Sequence, residues 1–211
     1  MATYIKDSFT DANTTTLNAH TPDIGGVWSG GASITIVSNQ IVCASFTNNH
    51  TSSATLPGTP DYEVSMNIIS SAATGTGSFA GVVGRYNVGG GNWYQAAYDA
   101  SNQQYELSKF LSASKTSLGT VAHTYVQGET HNVKLRLKAA NISLVVDGIT
   151  LLTVVDTSMP AKDQMGVYME DASATQALQG DNFLAEDLRS LGNYGAHVSV
   201  GDGMSRSEVA N

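Results

Sequence analysis

The sequence predicts an all-β chain folded as an antiparallel two-sheet β-sandwich, and three observations predict it. Apolar residues recur at every second position in many short runs. Glycine, asparagine, aspartate and serine separate those runs, and no long segment carries the 3.6-residue period of a helix. A parallel sheet would need crossover helices between its strands, so without them the runs must pair antiparallel. At 211 residues the chain suits one sandwich of generous size followed by a tail. A unit of this size buries about 70% of its extended-chain surface and needs no disulfide or metal to hold together.

Taken in order, the chain opens with a short arm and then gives strands at 34–37 and 41–46, followed by one at 61–69. In the last of these, Tyr62, Val64 and Met66 share one face, and Asp61, Glu63, Ser65 and Asn67 share the other. Further strands are predicted at 79–86, 92–98 and 105–111. The clearest alternation lies at 131–138, where Val133, Leu135 and Leu137 oppose Lys134, Arg136 and Lys138. A strand at 141–146 follows, and Asp147-Gly148 supplies the positive backbone angles of a tight turn into 149–155. Strands at 164–169 and 177–185 complete the sandwich, which spans 1–187. From 188 to 211 the composition changes to a glycine-rich extended tail. Leu188, Leu191, Tyr194, His197, Val198, Val200, Met204 and Arg206 are its candidate assembly contacts, because such a tail gains order only against another molecule.

The charge balance narrows the function. Ten lysines and arginines against 18 acidic residues give a net charge of -8 with no basic stripe, which excludes a sequence-independent grip on nucleic acid. Residues 1–7 lack the apolar stretch of a signal peptide, and the longest apolar region is interrupted at Asp147-Gly148, so neither secretion nor membrane insertion is expected. The lone Cys43 lies in an apolar run and reads as a small buried hydrophobe.

Catalytic chemistry finds little purchase. Asp61 and Glu63 are the best carboxylate pair for glycoside hydrolysis, but no third carboxylate continues their row and a solvated outer face accounts for them. His20, His50, His123, His131 and His197 include no two at the two-apart or four-apart spacing of ligand pairs, so no metal is expected. The glycine runs lack a phosphate-loop lysine, Gly-x-Ser-x-Gly is absent, and no catalytic residue or cofactor is assigned. The most suggestive feature is the aromatic segment 92–98. Trp93, Tyr94 and Tyr98 are candidate glycan-binding residues, since rings beside amide side chains suit a sugar surface. Alternation puts Trp93 with Gln95 and Ala97, and Tyr94 with Ala96 and Tyr98. One of these sets must face the core.

The order of motifs adds a resemblance. Asp7-Ser8-Phe9-Thr10-Asp11 precedes His20-Thr21-Pro22-Asp23-Ile24-Gly25-Gly26-Val27-Trp28, then Gly81-Val82-Val83-Gly84-Arg85-Tyr86 and Tyr94-Gln95-Ala96-Ala97-Tyr98. Gly166-Val167-Tyr168-Met169 and Asp181-Asn182-Phe183 close the series. Over 5–187 this resembles the concanavalin-A-like, laminin-G-like jelly rolls, which implies two sheets with the first and last strands side by side. Carbohydrate recognition or passive assembly are the tasks the resemblance implies. The hydrolase branch carries a Glu-x-Asp-x-Glu strand that this sequence lacks, so no enzyme activity is expected.

With its glycine-rich tail, ending Gly203-Met204-Ser205-Arg206-Ser207-Glu208-Val209-Ala210-Asn211, the chain is similar to bacteriophage virion proteins made in the host cytoplasm. That similarity implies a capsid decoration or cement protein, or a tail-associated subunit, acting by multivalent contacts with other virion proteins and with itself as a homo-oligomer, a trimer being favoured. The alternative is a lectin-like module that reads a host receptor glycan.

Overall fold

The structure is a computed structural model that describes residues 2–30, 33–43, 49–53, 56–73, 77–87, 89–161, 163–172 and 176–188, with the backbone alone described at 49–53. Its strands are β1 Thr3–Asp7, β2 Trp28–Gly30, β3 Ile34–Val37, β4 Gln40–Cys43, β5 Asn49–Ser53, β6 Tyr62–Ser70, β7 Ser78–Asn87 and β8 Asn92–Asp99. They continue with β9 Gln104–Leu111, β10 Ser114–Ala122, β11 Thr130–Lys138, β12 Asn141–Val146, β13 Ile149–Val155, β14 Gln164–Asp171 and β15 Leu178–Asp187. One short 3-10 turn, Leu17–Ala19, interrupts the strands.

All pairings are antiparallel and form two sheets. The eight-stranded sheet runs β13-β12-β11-β6-β15-β4-β3, with β1 also on the outer edge of β15, and the seven-stranded sheet runs β10-β9-β8-β7-β14-β5-β2. The alternation explains the stacking. Tyr62, Val64 and Met66 of β6, Val133, Leu135 and Leu137 of β11, and Ile142 and Leu144 of β12 are buried in one core with Ala80 and Val82 of β7 and Tyr94 and Ala96 of β8. Leu107 of β9 and Val167 of β14 complete the facing layer. Each Val, Leu, Ile or Met among them contributes about 1.5–3 kcal/mol by leaving water. The layers close tightly at Gly84, where an added Cβ would stand 2.8 Å from Leu137 Cδ1 of the facing sheet.

The eleven predicted strands are all present, most of them within one or two residues of their predicted ends. The second is seen as Gln40–Cys43, and its predicted continuation through 46 lies outside the described residues. The opening arm is a correction. Residues 3–7 form a strand that pairs with the last one, Asp7 opposite Phe183 and Lys6 opposite Leu184, as the resemblance implied. Strands β2, β5 and β10 were also not foreseen. Of the tail, Leu188 is described and its N–H points to the Asp61 carbonyl at 3.5 Å. Leu191, Tyr194, His197, Val198, Val200, Met204 and Arg206 lie outside the described residues.

The Asp61 and Glu63 pair is bound up in the eight-stranded sheet. Lys134 and Arg136 flank Glu63, Arg136 Nε reaching its Oε2 at 3.0 Å, while Asp61 accepts the Ala139 N–H at 2.8 Å. Their place on the outer face is as predicted, but cation stems cover Glu63 to 6% exposure, so that part of the face is an ion-pair network.

Candidate functional site

Strand β8 divides its side chains between two environments. Tyr94, Ala96 and Tyr98 point between the sheets and are buried in the main core. Tyr94 and Tyr98 are therefore corrected from glycan candidates to packing residues, because their parity puts both rings inside. The Tyr94 hydroxyl bonds Asp156 at 2.6 Å and the Tyr98 hydroxyl donates to the His123 carbonyl at 3.2 Å. Burial and Asp156 hold the Tyr94 phenol well above its ordinary range, and burial lifts that of Tyr98 to about 12, so both stay protonated.

Trp93 takes the other side. With Phe79, Val83, Tyr86, Ala97, Phe110 and Tyr168 it forms a second apolar cluster on the outer face of the seven-stranded sheet. Registers arrange this face in rows across four strands. Phe110 stands opposite Trp93, and the next row reads Ser108, Gln95, Val83 and Gly166. The row beyond it holds Glu106, Ala97, Gly81 and Tyr168. A register shift between Gly84 and Asn87, with Arg85 at φ 48°, sets Tyr86 beside Trp93. The Trp93 and Phe110 rings stack at 4.1 Å and 13°, and Tyr86 meets Trp93 edge-on at 5.5 Å. Such aromatic pairs add about 0.5–1.5 kcal/mol beyond area burial.

The polar members of the face carry the chemistry. Trp93 Nε1 donates to Gln95 Oε1 at 3.1 Å, which orients the amide and aims its Nε2 elsewhere. That Nε2 and the Ser108 Oγ are buried with no hydrogen-bond partner, on side chains directly opposite each other. An unmade buried hydrogen bond costs about 1–3 kcal/mol, so two in one row form a local deficit. Gln95 is 1% exposed and Ser108 0% exposed, so a ligand would reach them only after the atoms covering the row move aside. Charges border the row. Glu106 pairs with Lys115 at 2.6 Å, and Lys115 lies 5.0 Å over the Phe79 ring. The Tyr168 hydroxyl donates to Glu170 at 3.1 Å, and burial together with that carboxylate keeps it protonated far above neutrality.

Among the described residues this face offers donors, a hydroxyl and rings, and two of its carboxylates are engaged. Asp99 accepts from the Asn102 N–H at 3.0 Å and its side-chain amide at 2.7 Å, and Glu106 is committed to Lys115. A cavity of about 140 Å³ near Arg85, Ala140 and Asp156, at one end of the sandwich, falls below the roughly 300 Å³ of small-molecule sites. Among the described residues the cluster with metal-ligand spacing, His123 with Glu129 and His131, stands at the other end and not on this face. Sequence reasoning found Trp93 and its shared side with Gln95. It missed Ser108, Phe110 and Tyr168. The Glu106, Ser108, Phe110 alternation in β9 was a signal for the face, but no local signal told which strand lay beside it.

No protein-family model matches the sequence, and no curated protein matches it. Solved structures do match in fold. A carbohydrate binding module from Bacillus subtilis superposes with TM-score 0.65 at 15% identity, covering 76% of this chain and 95% of that one. The β-glucanase of Bacillus licheniformis gives 0.58 at 12% identity, with 90% and 99% covered. The carbohydrate recognition domain of Emp47p gives 0.56 at 12%, with 83% and 94% covered. The chain therefore has the concanavalin-A-like fold, which binders and hydrolases share.

Proposed function

We propose that this chain is a carbohydrate-binding, lectin-like module whose sugar-facing surface is the outer face of the seven-stranded sheet. The observation that carries the reading is the unpaired Gln95 Nε2 and Ser108 Oγ, set side by side next to the stacked Trp93 and Phe110. A sugar supplies what that row lacks, namely hydroxyls that accept from an amide and exchange bonds with a serine, on a ring whose C–H face packs against aromatics. Binding modules on the same fold support the reading, as do the hydrogen bonds that engage Asp99 and Glu106 on this face. Virion assembly draws instead on the tail after Leu188, and no observation among the described residues favours it.

Ser108→Ala separates function from packing. Deleting an unpaired buried hydroxyl leaves stability unchanged or raises it by up to about 1 kcal/mol, while a bound sugar loses a hydrogen bond. Glycan-array binding followed by calorimetry on the preferred oligosaccharide is expected to show a several-fold loss for Ser108→Ala and a larger one for Trp93→Ala. Wild-type affinity in both variants, or no glycan bound at all, sinks the reading. Release of reducing sugar from β-glucan would replace it with hydrolysis.

A further inference from the structure

At one end of the sandwich the chain leaves β10 in one sheet and enters β11 in the other. Three side chains meet there. His123 Nε2 lies 3.4 Å from Glu129 Oε2, and His131 Nε2 lies 3.3 Å from that same oxygen. All three donor atoms fall within 4.8 Å of one another. The histidines are eight residues apart, so spacing along the chain concealed them. They converge because the crossing between the sheets is anchored at Ser70, the end of β6, with the Gly128 N–H on the Ser70 carbonyl at 2.7 Å and the Ser70 N–H on the Glu129 carbonyl at 2.9 Å.

We propose that His123, Glu129 and His131 form a site for a divalent transition metal, with zinc as the natural occupant. Zinc bonds of about 2.0–2.1 Å in a tetrahedron place neighbouring donors about 3.3 Å apart, and both contacts to Glu129 Oε2 already have that length. Two imidazoles with one carboxylate suit zinc, cobalt or nickel and not the all-oxygen cage that calcium takes.

The supporting layer points the same way. His131 Nδ1 is 2.7 Å from Asp147 Oδ2, and Asp147 Oδ1 is itself fixed by the Asn132 N–H at 2.8 Å. A carboxylate on the far ring nitrogen sets the tautomer that leaves Nε2 free to ligate. The His123 ring is held by the Tyr105 ring at 5.0 Å and the Tyr98 ring at 5.6 Å, and its backbone N–H bonds the Gln103 carbonyl at 2.8 Å. Side-chain exposures of 29%, 39% and 24% for His123, Glu129 and His131 leave the donors reachable from solvent. Three protein ligands leave a fourth position for water or an external group.

The test is calorimetric titration of the chelator-treated full chain with zinc, and with cobalt to read coordination by its visible spectrum. One equivalent of zinc is expected to bind and raise the melting temperature, and cobalt is expected to give the strong visible bands of a four-coordinate ion. His123→Gln and His131→Gln should each abolish saturable binding, and Asp147→Asn should weaken it roughly 10–100-fold. Where a variant melts too low to assay, cobalt broadening of the His123 and His131 ring resonances in the wild type reports the same contact. No binding by the wild type, binding unchanged in the histidine variants, or six-coordinate cobalt spectra with those resonances untouched would overturn the site.

Discussion

Asp7 shows how one residue anchors the opening of the chain. It is fully buried, yet it accepts the Phe9 N–H at 2.7 Å and the Trp28 indole at 2.6 Å, and it meets His20 Nε2 at 2.9 Å. His20 Nδ1 reaches Asp11 at 2.9 Å, so the imidazole bridges two carboxylates. Burial alone would lower the His20 pKa. The hydrogen bonds and charges of Asp11 and Asp7 outweigh that and raise it above 6.5, while the bond to His20 lowers that of Asp11 below 3.8. A raised histidine contributes in full below the unfolded value of 6.5 and loses its contribution as pH climbs through the folded one. A lowered aspartate contributes in full above 3.8 and loses it as pH falls through the folded one. The bridge thus helps most between these two values. Denaturant midpoints of the wild type should fall from pH 6 to pH 9, and His20→Gln should make that fall shallower; equal slopes in the two proteins would show that the bridge does not titrate as derived. The order of these motifs was legible in the sequence, but nothing local reveals that His20 and Trp28 fold back on Asp7.

Among the elements, the β12–β13 hairpin was fully legible, since its turn demands particular residues. Asp147 has φ 50° and Gly148 φ 81°, and no atom lies within 4 Å of where a Cβ at Gly148 would stand. Gly148→Ala meets no steric obstacle and is expected to cost about 1 kcal/mol from backbone strain alone, read as a lower urea midpoint. An unchanged midpoint would mean that the turn relaxes freely. The strands that escaped notice lack such signals. β10 is a sheet edge whose residues are mostly exposed, β5 is Asn-His-Thr-Ser-Ser, and β2 spans only three residues. Backbone hydrogen bonds to a neighbour recruit them, and apolar alternation does not. β8 shows the opposite case, where both faces are apolar and alternation gives two sets without saying which one turns inward.

For the molecule as a whole, β15 is decisive. It lies between β6 on one side and β1 with β4 on the other, so the last strand holds the middle of the eight-stranded sheet. Its far end is tied by the Tyr4 hydroxyl to Asp187 and by the Asp187 N–H to the Ala2 carbonyl at 2.9 Å. A chain ending at Leu188 keeps every described strand and should unfold cooperatively with a midpoint close to that of the full chain. One ending at Ala177 loses β15 and should not fold. Failure of the longer truncation would show that the sandwich depends on residues beyond 188.

Local chemistry was enough to establish the class of fold and the position of most strands, because side-chain alternation and turn geometry are properties of neighbouring residues. The interior side of β8, the meeting of Gln95 with Ser108, and the convergence of His123, Glu129 and His131 were settled by folding alone. Each depends on strand register or on a crossing between sheets, and those come from remote segments satisfying one another's hydrogen bonds and burying a common core.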